Sequence, residues 1–164
     1  MKKLTVAMVL TLALVMTGCM GGGLSKNQDA EIRLTLDAYI ENFKKLDSKA
    51  MAQLYTYPAT IHLAYDRAYT LSTPHQGEDF YENTWDFDRL RTWYNIEDVK
   101  MTILSINSGE MATVKAVLSV TATDKGFPNE VYNLKTEHEF VMMKVGSTWK
   151  IAWEKILHLE GYID

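Results

Sequence analysis

The chain of 164 residues holds one cysteine, Cys19, so no disulfide can close within it. No apolar run reaches the ~20 residues that carry a helix across a bilayer; the stretch from Leu4 to Met16 is shorter. Clustered basic residues are lacking too. With 17 Lys and Arg against 21 Asp and Glu, a formal net charge of −4, there is no stripe to meet phosphates, which excludes nucleic acid as a partner. His62, His75, His138 and His158 show no metal-ligand spacing, and on a strand Glu137 and Glu139 point to the side opposite His138; neither a metal site nor a cofactor is expected. No serine sits in a nucleophile-elbow context, which leaves covalent catalysis without a candidate. Internal repeats, low-complexity tracts and a second domain are absent.

What is present begins at the N-terminus. Met1-Lys2-Lys3, the apolar run to Met16 and then Thr17-Gly18-Cys19 form a charged region, a hydrophobic region and a small-residue cleavage site, the pattern of an export signal over residues 1–18. Met16-Thr17-Gly18-Cys19 resembles the lipobox of bacterial lipoproteins, with Met16 where leucine is usual. The resemblance implies a diacylglycerol on the Cys19 sulfur and a further acyl chain such as palmitate on its amino group. Several chains hold a protein to a membrane where one holds it only marginally. The plainer alternative is secretion with Cys19 as an incidental thiol. Loss of residues 1–18 removes Lys2 and Lys3 and no acid, taking the net charge from −4 to −6. Residues 19–25, with Met20-Gly21-Gly22-Gly23, read as the lipidated cysteine and a flexible tether. No acidic residue follows Cys19 directly, which by resemblance to enterobacterial sorting favours the outer membrane, facing the periplasm. Residues 26–164 have the size of one domain.

From Ser25, which with Gln28 fits a capping box, the apolar residues Ile32, Leu36, Ile40 and Phe43 recur at helical spacing and predict a helix to about Leu46. Asp47-Ser48 offers a new N-cap, and Ala50, Met51, Leu54 and Tyr55 predict a second short helix ending before Pro58. Alternation at Ile61, Leu63 and Tyr65 predicts a strand, with another over Ala68 to Leu71. Thr73-Pro74-His75-Gln76-Gly77 breaks the chain before a short helical segment holding Phe80, Tyr81 and Trp85. Four β-rich stretches follow, Val99 to Ile106, Ala112 to Thr123, Val131 to Met143 and Trp149 to Leu157, joined by hairpin turns. The class is α+β, with N-terminal helices covering one face of a mostly antiparallel sheet.

That order resembles the NTF2-like superfamily, the curved-sheet cone that includes ketosteroid isomerase, scytalone dehydratase and the SnoaL-like proteins. The resemblance is carried by Tyr39-Ile40-Glu41, Gln53-Leu54-Tyr55, Ala59-Thr60-Ile61, Gly77-Glu78-Asp79-Phe80, and Gly146 with Trp149-Lys150-Ile151. It implies a pocket between helices and sheet whose walls hold any acids and bases. The isomerases use a carboxylate to move a proton and a tyrosine to hold the dienolate oxygen. Tyr39 falls where the family tyrosine stands, but the family's Asp position is occupied by His62 or Leu63.

On the third long strand Tyr132, Leu134, Thr136, His138, Phe140 and Met142 share one face. His138 is therefore a polar group on an apolar wall, either a hydrogen-bonded core residue or a pocket group. On the last strand Trp149, Ile151, Trp153, Lys155 and Leu157 share a face by the same alternation. Ligand-binding candidates are Tyr39, Tyr65, His138, Trp153 and Lys155; His138, Tyr39 and Tyr55 are the catalytic candidates. Three functions compete. The first is an anchored domain that binds a small apolar or amphipathic molecule, or a protein, without chemistry. The second is a SnoaL-like isomerase or dehydratase using His138. The third is a structural homodimer in an envelope assembly, formed through the sheet faces.

Overall fold

The computed structural model describes residues 21–64 and 67–160, with the side chains of residues 21–26 and 158–160 outside the description. The export signal, Cys19 and Tyr65 lie outside the described residues. Helix α1 (Gly21–Lys44) places Ile32, Leu36, Tyr39 and Phe43 on one buried stripe, each such side chain worth about 1.5–3 kcal/mol on leaving water. Ser25 lies inside the helix and so does not cap it. Interior glycine costs a helix only about 1 kcal/mol, so Gly22-Gly23 does not stop it.

The helix ends in a Schellman motif. Leu46 takes a left-handed φ of 52°, while the Asp47 N–H donates to Asn42 O at 3.0 Å and the Leu46 N–H to Phe43 O at 2.9 Å. Glycine usually fills this position; here the buried Leu46 side chain offsets the left-handed penalty. Asp47 at once caps α2 (Ser48–Ala52), accepting from the Ala50 N–H at 2.9 Å. Tyr55, expected at the end of that helix, instead begins strand β1 (Tyr55–Leu63), a correction that follows from α2 ending one turn after its cap. β2 (Arg67–Leu71) pairs antiparallel with β1.

Thr73 caps α3 (Pro74–Asn83) with Pro74 in its first turn. α4 (Phe87–Trp93) buries Phe87. The meander follows as β3 (Tyr94–Asn107), β4 (Met111–Asp124), β5 (Val131–Val145) and β6 (Thr148–Glu160). The six strands form one sheet in the order β2-β1-β6-β5-β4-β3. Only the β1–β6 pair is parallel. The helices lie against the inner face, where Val114, Ala116, Leu118 and Val120 of β4 and Phe140 and Met142 of β5 are buried. This is the α+β arrangement expected.

The face assigned to the last strand needs correcting. Val141 pairs with Trp153 and Met142 with Ile151, which leaves Ala152 as a bulge. One extra residue reverses the in-and-out alternation beyond it. Trp149 and Ile151 therefore point inward as read, but after the bulge Glu154 and Ile156 are buried, and Trp153 and Lys155 turn to the outer face.

Candidate functional site

The bulge carries a carboxylate into the interior. Glu154 is fully buried, and its two oxygens accept from three donors. Oε1 takes the Tyr39 hydroxyl at 3.1 Å and lies 2.7 Å from His138 Nδ1; Oε2 takes the Tyr55 hydroxyl in a short bond. Tyr55 Oη is 2.6 Å from Tyr81 Oη, and His138 Nε2 is 2.7 Å from Thr136 Oγ1. The six side chains come from α1, β1, α3, β5 and β6, and none is more than 6% exposed.

Every hydrogen-bonding group of the cluster finds a partner inside it, as buried polar groups must. With the Nδ1 proton aimed at Glu154, the imidazole Nε2 accepts from Thr136. Burial first, and the negative field of Glu154 second, push the Tyr39 and Tyr55 hydroxyls far above the ordinary phenol range. Tyr81 is pushed the same way, again by burial and then by Glu154. The three phenols therefore stay protonated and serve as donors. Aromatic packing closes the space around them: Tyr39 meets Phe140 edge-on at 5.7 Å, His138 stacks on Phe140 at 5.5 Å, and Tyr81 lies 5.2 Å from Phe87.

A solvent-facing cleft lies elsewhere. About 250 Å³ opens between α1 and the start of β6, lined among others by Leu34, Thr35, Ala38, Leu54, Trp149 and Lys150. Its wall is mostly apolar. Its floor is fixed by the Thr35 hydroxyl donating to Trp149 O at 2.9 Å. At its rim Glu31 accepts from Lys144 at 2.7 Å and from the Trp149 indole at 3.2 Å, and the Lys144 bond holds the Glu31 carboxyl below its usual range.

Among the sequence candidates, Tyr39, Tyr55 and His138 come together. Trp153 and Lys155 do not join them. Trp153 packs its ring 5.5 Å from His62 on the outer face, and Lys155 pairs in register with His62 and Glu139 there. His62, one of the two residues (with Leu63) at which the resemblance would put a base, faces away from the cluster. Glu154 and Tyr81 carry the cluster without having been singled out. No periodicity announces a bulge at Ala152, and Tyr81 shares its helix with apolar neighbours that read as core. Among the described residues no group of three or more His, Cys, Asp and Glu is placed to hold a metal ion.

Solved structures share this architecture. A conserved protein from Planctomyces limnophilus superposes with a TM-score of 0.66 at 15% identity, over 84% of this chain and 99% of that one. A ketosteroid isomerase-like protein from Erwinia carotovora atroseptica gives 0.60 at 18% identity, covering 80% and 95%. An NTF-2 like protein of unknown function from Shewanella oneidensis gives 0.60 at 14%, covering 79% and 98%. The fold is NTF2-like. No family model and no curated protein matches the sequence. Within this fold the one carboxylate of the cluster, Glu154 of β6, is enclosed by its own donors.

Proposed function

We propose that this chain is a lipid-anchored protein of the bacterial envelope, held through Cys19 on the periplasmic face of the outer membrane. Its NTF2-like domain is a non-catalytic module that binds a small apolar or amphipathic molecule in the cleft between α1 and β6. The observation that carries the reading is the saturation of Glu154 and His138 by Tyr39, Tyr55 and Thr136 in a cluster at most 6% exposed. A general base must reach a substrate proton within hydrogen-bond distance, and here each oxygen of Glu154 and each ring nitrogen of His138 already has a buried partner. The cleft, by contrast, meets solvent and is lined by Leu34, Ala38 and Leu54 together with Thr35 and Lys150, the mix of apolar wall and few polar groups that small-molecule sites have.

Native mass spectrometry of the mature protein purified from its host tests this. A small molecule released from the wild type and missing from Ala38→Trp, which fills the cleft, is the expected result.

A second reading is favoured by one feature, the convergence of an imidazole, a carboxylate and three phenols. That is an acid–base set of the kind a SnoaL-like isomerase or dehydratase would use once α3 and α4 moved away. Turnover of a cyclic ketone or polyketide-like compound, lost in His138→Ala, would establish it over the binding module.

A further inference from the structure

The fold has two poles, and the start of α1 lies at one of them. Between Glu31 and Tyr39 the helix α1 advances ~12 Å, while its contacts on β5 move from Lys144, bonded to Glu31, to Phe140, packed on Tyr39, a distance of ~13 Å along a strand. α1 therefore begins beside the β5–β6 hairpin and leads away from it, crossing the sheet from β6 toward β3. From Glu31 back to Gly21 the helix continues another ~15 Å. From Lys144 to Gly146, the turn of the β5–β6 hairpin, the strand has only ~7 Å left. The start of α1 and the turn of the β5–β6 hairpin therefore lie at the same pole of the fold. Cys19 stands two residues before that start.

The same pole exposes apolar side chains. Met111 is 60% exposed, Met143 39% and Val145 52%. Met111 and Met143 are register partners on adjacent strands, and Val145 follows two residues on along the same face of β5. They form one outer-face patch at the hairpin tips.

We infer that this tip patch, Met111, Met143 and Val145, is a membrane-contact surface that seats the domain on the headgroup region of the bilayer holding Cys19. The inference rests on the anchoring proposed above and adds an orientation to it. The helix start and the hairpin tips then face the same lipid surface. The opposite pole, with Trp93 58%, Phe127 66% and Val131 58% exposed, points away from the membrane and is the internal control.

The test uses the lipidated protein in vesicles of phosphatidylethanolamine with a minority of phosphatidylglycerol. An environment-sensitive fluorophore is placed through Val145→Cys or Phe127→Cys, since the only native cysteine, Cys19, is blocked by lipid. Flotation with the vesicles reads the anchor, and quenching by spin-labelled lipid reads the orientation. Quenching at Val145 but not at Phe127, abolished when Met111→Glu and Met143→Glu are added although the protein still floats, is the result expected. Floating protein with neither probe quenched, or with Phe127 quenched more than Val145, overturns the orientation and leaves the anchor standing. Protein that does not float contradicts the anchor and the orientation with it.

Discussion

His138 Nδ1 and Glu154 Oε1 lie 2.7 Å apart with both side chains fully buried, yet they are not register partners. Glu154 stands opposite Phe140, and His138 opposite Ile156. The pair is a diagonal cross-strand contact, made on the inner face because the bulge at Ala152 turns Glu154 inward. Removing one member of a buried, hydrogen-bonded pair strands the other.

Glu154→Ala and His138→Ala should therefore each lower unfolding stability by about 3–5 kcal/mol. The double variant should lose clearly less than the sum, because the two share one network. Urea denaturation of the three variants checks this; additive losses would mean that the two groups do not depend on each other.

Alkaline pH should unfold the protein steeply. Tyr39, Tyr55 and Tyr81 have folded-state values raised well above 10, so the folded form keeps protons that the unfolded form releases near pH 10. Their contribution is intact below that pH and is lost as pH rises toward the folded values. Each pH unit above 10 removes about 1.4 kcal/mol per buried tyrosine, roughly 4 kcal/mol for three. Tyrosinate absorbance and circular dichroism should change together, and Tyr81→Phe should reduce the slope by one proton. Ionisation of all three phenols before any loss of structure would contradict the closed cluster.

Gly77 should resist the substitution that usually stabilises a helix. A Cβ there would stand 2.7 Å from Tyr57 Oη and 3.0 Å from Ala52 Cβ, and Tyr57 donates to Ala52 O at 2.5 Å. Gly77→Ala should cost about 1–3 kcal/mol, the range for overpacking, rather than gain the ~1 kcal/mol expected at an open helical site. Thermal melts in a Tyr57→Phe background should recover part of the loss.

Much of this architecture is legible in the sequence because alternation and helical spacing report burial directly. Ile32, Leu36 and Phe43 mark the inner stripe of α1, and Thr136, His138, Phe140 and Met142 share the buried face of β5. Asp47 announces its helix through capping chemistry, whereas Thr73, in a stretch that reads as a break, caps α3. What is not legible depends on single-residue events. The bulge at Ala152 exchanges Trp153 and Lys155 for Glu154 on the inner face, and a period-two reading has no term for it. The helical spacing of Met51, Leu54 and Tyr55 places Tyr55 on a helix, whereas strand pairing between Tyr55 and Ile151 decides the outcome. Of the cluster's members, Tyr39, Tyr55 and His138 are legible in the sequence; Glu154, which joins them, is not.

Cys19→Ser should leave the domain folded and release it from membranes, as read by fractionation of the host envelope. The substituted hydroxyl cannot take the thioether-linked lipid, and without several acyl chains the remaining attachment is marginal. Full retention of that variant in the membrane fraction would contradict lipid anchoring.

The most direct test of the account is native mass spectrometry on the mature wild-type protein beside Ala38→Trp and His138→Ala. The account predicts a co-purifying small molecule that Ala38→Trp loses and folded His138→Ala retains, with no turnover depending on His138. A ligand kept by Ala38→Trp, or product formation that disappears in His138→Ala, would contradict a binding module with a closed interior.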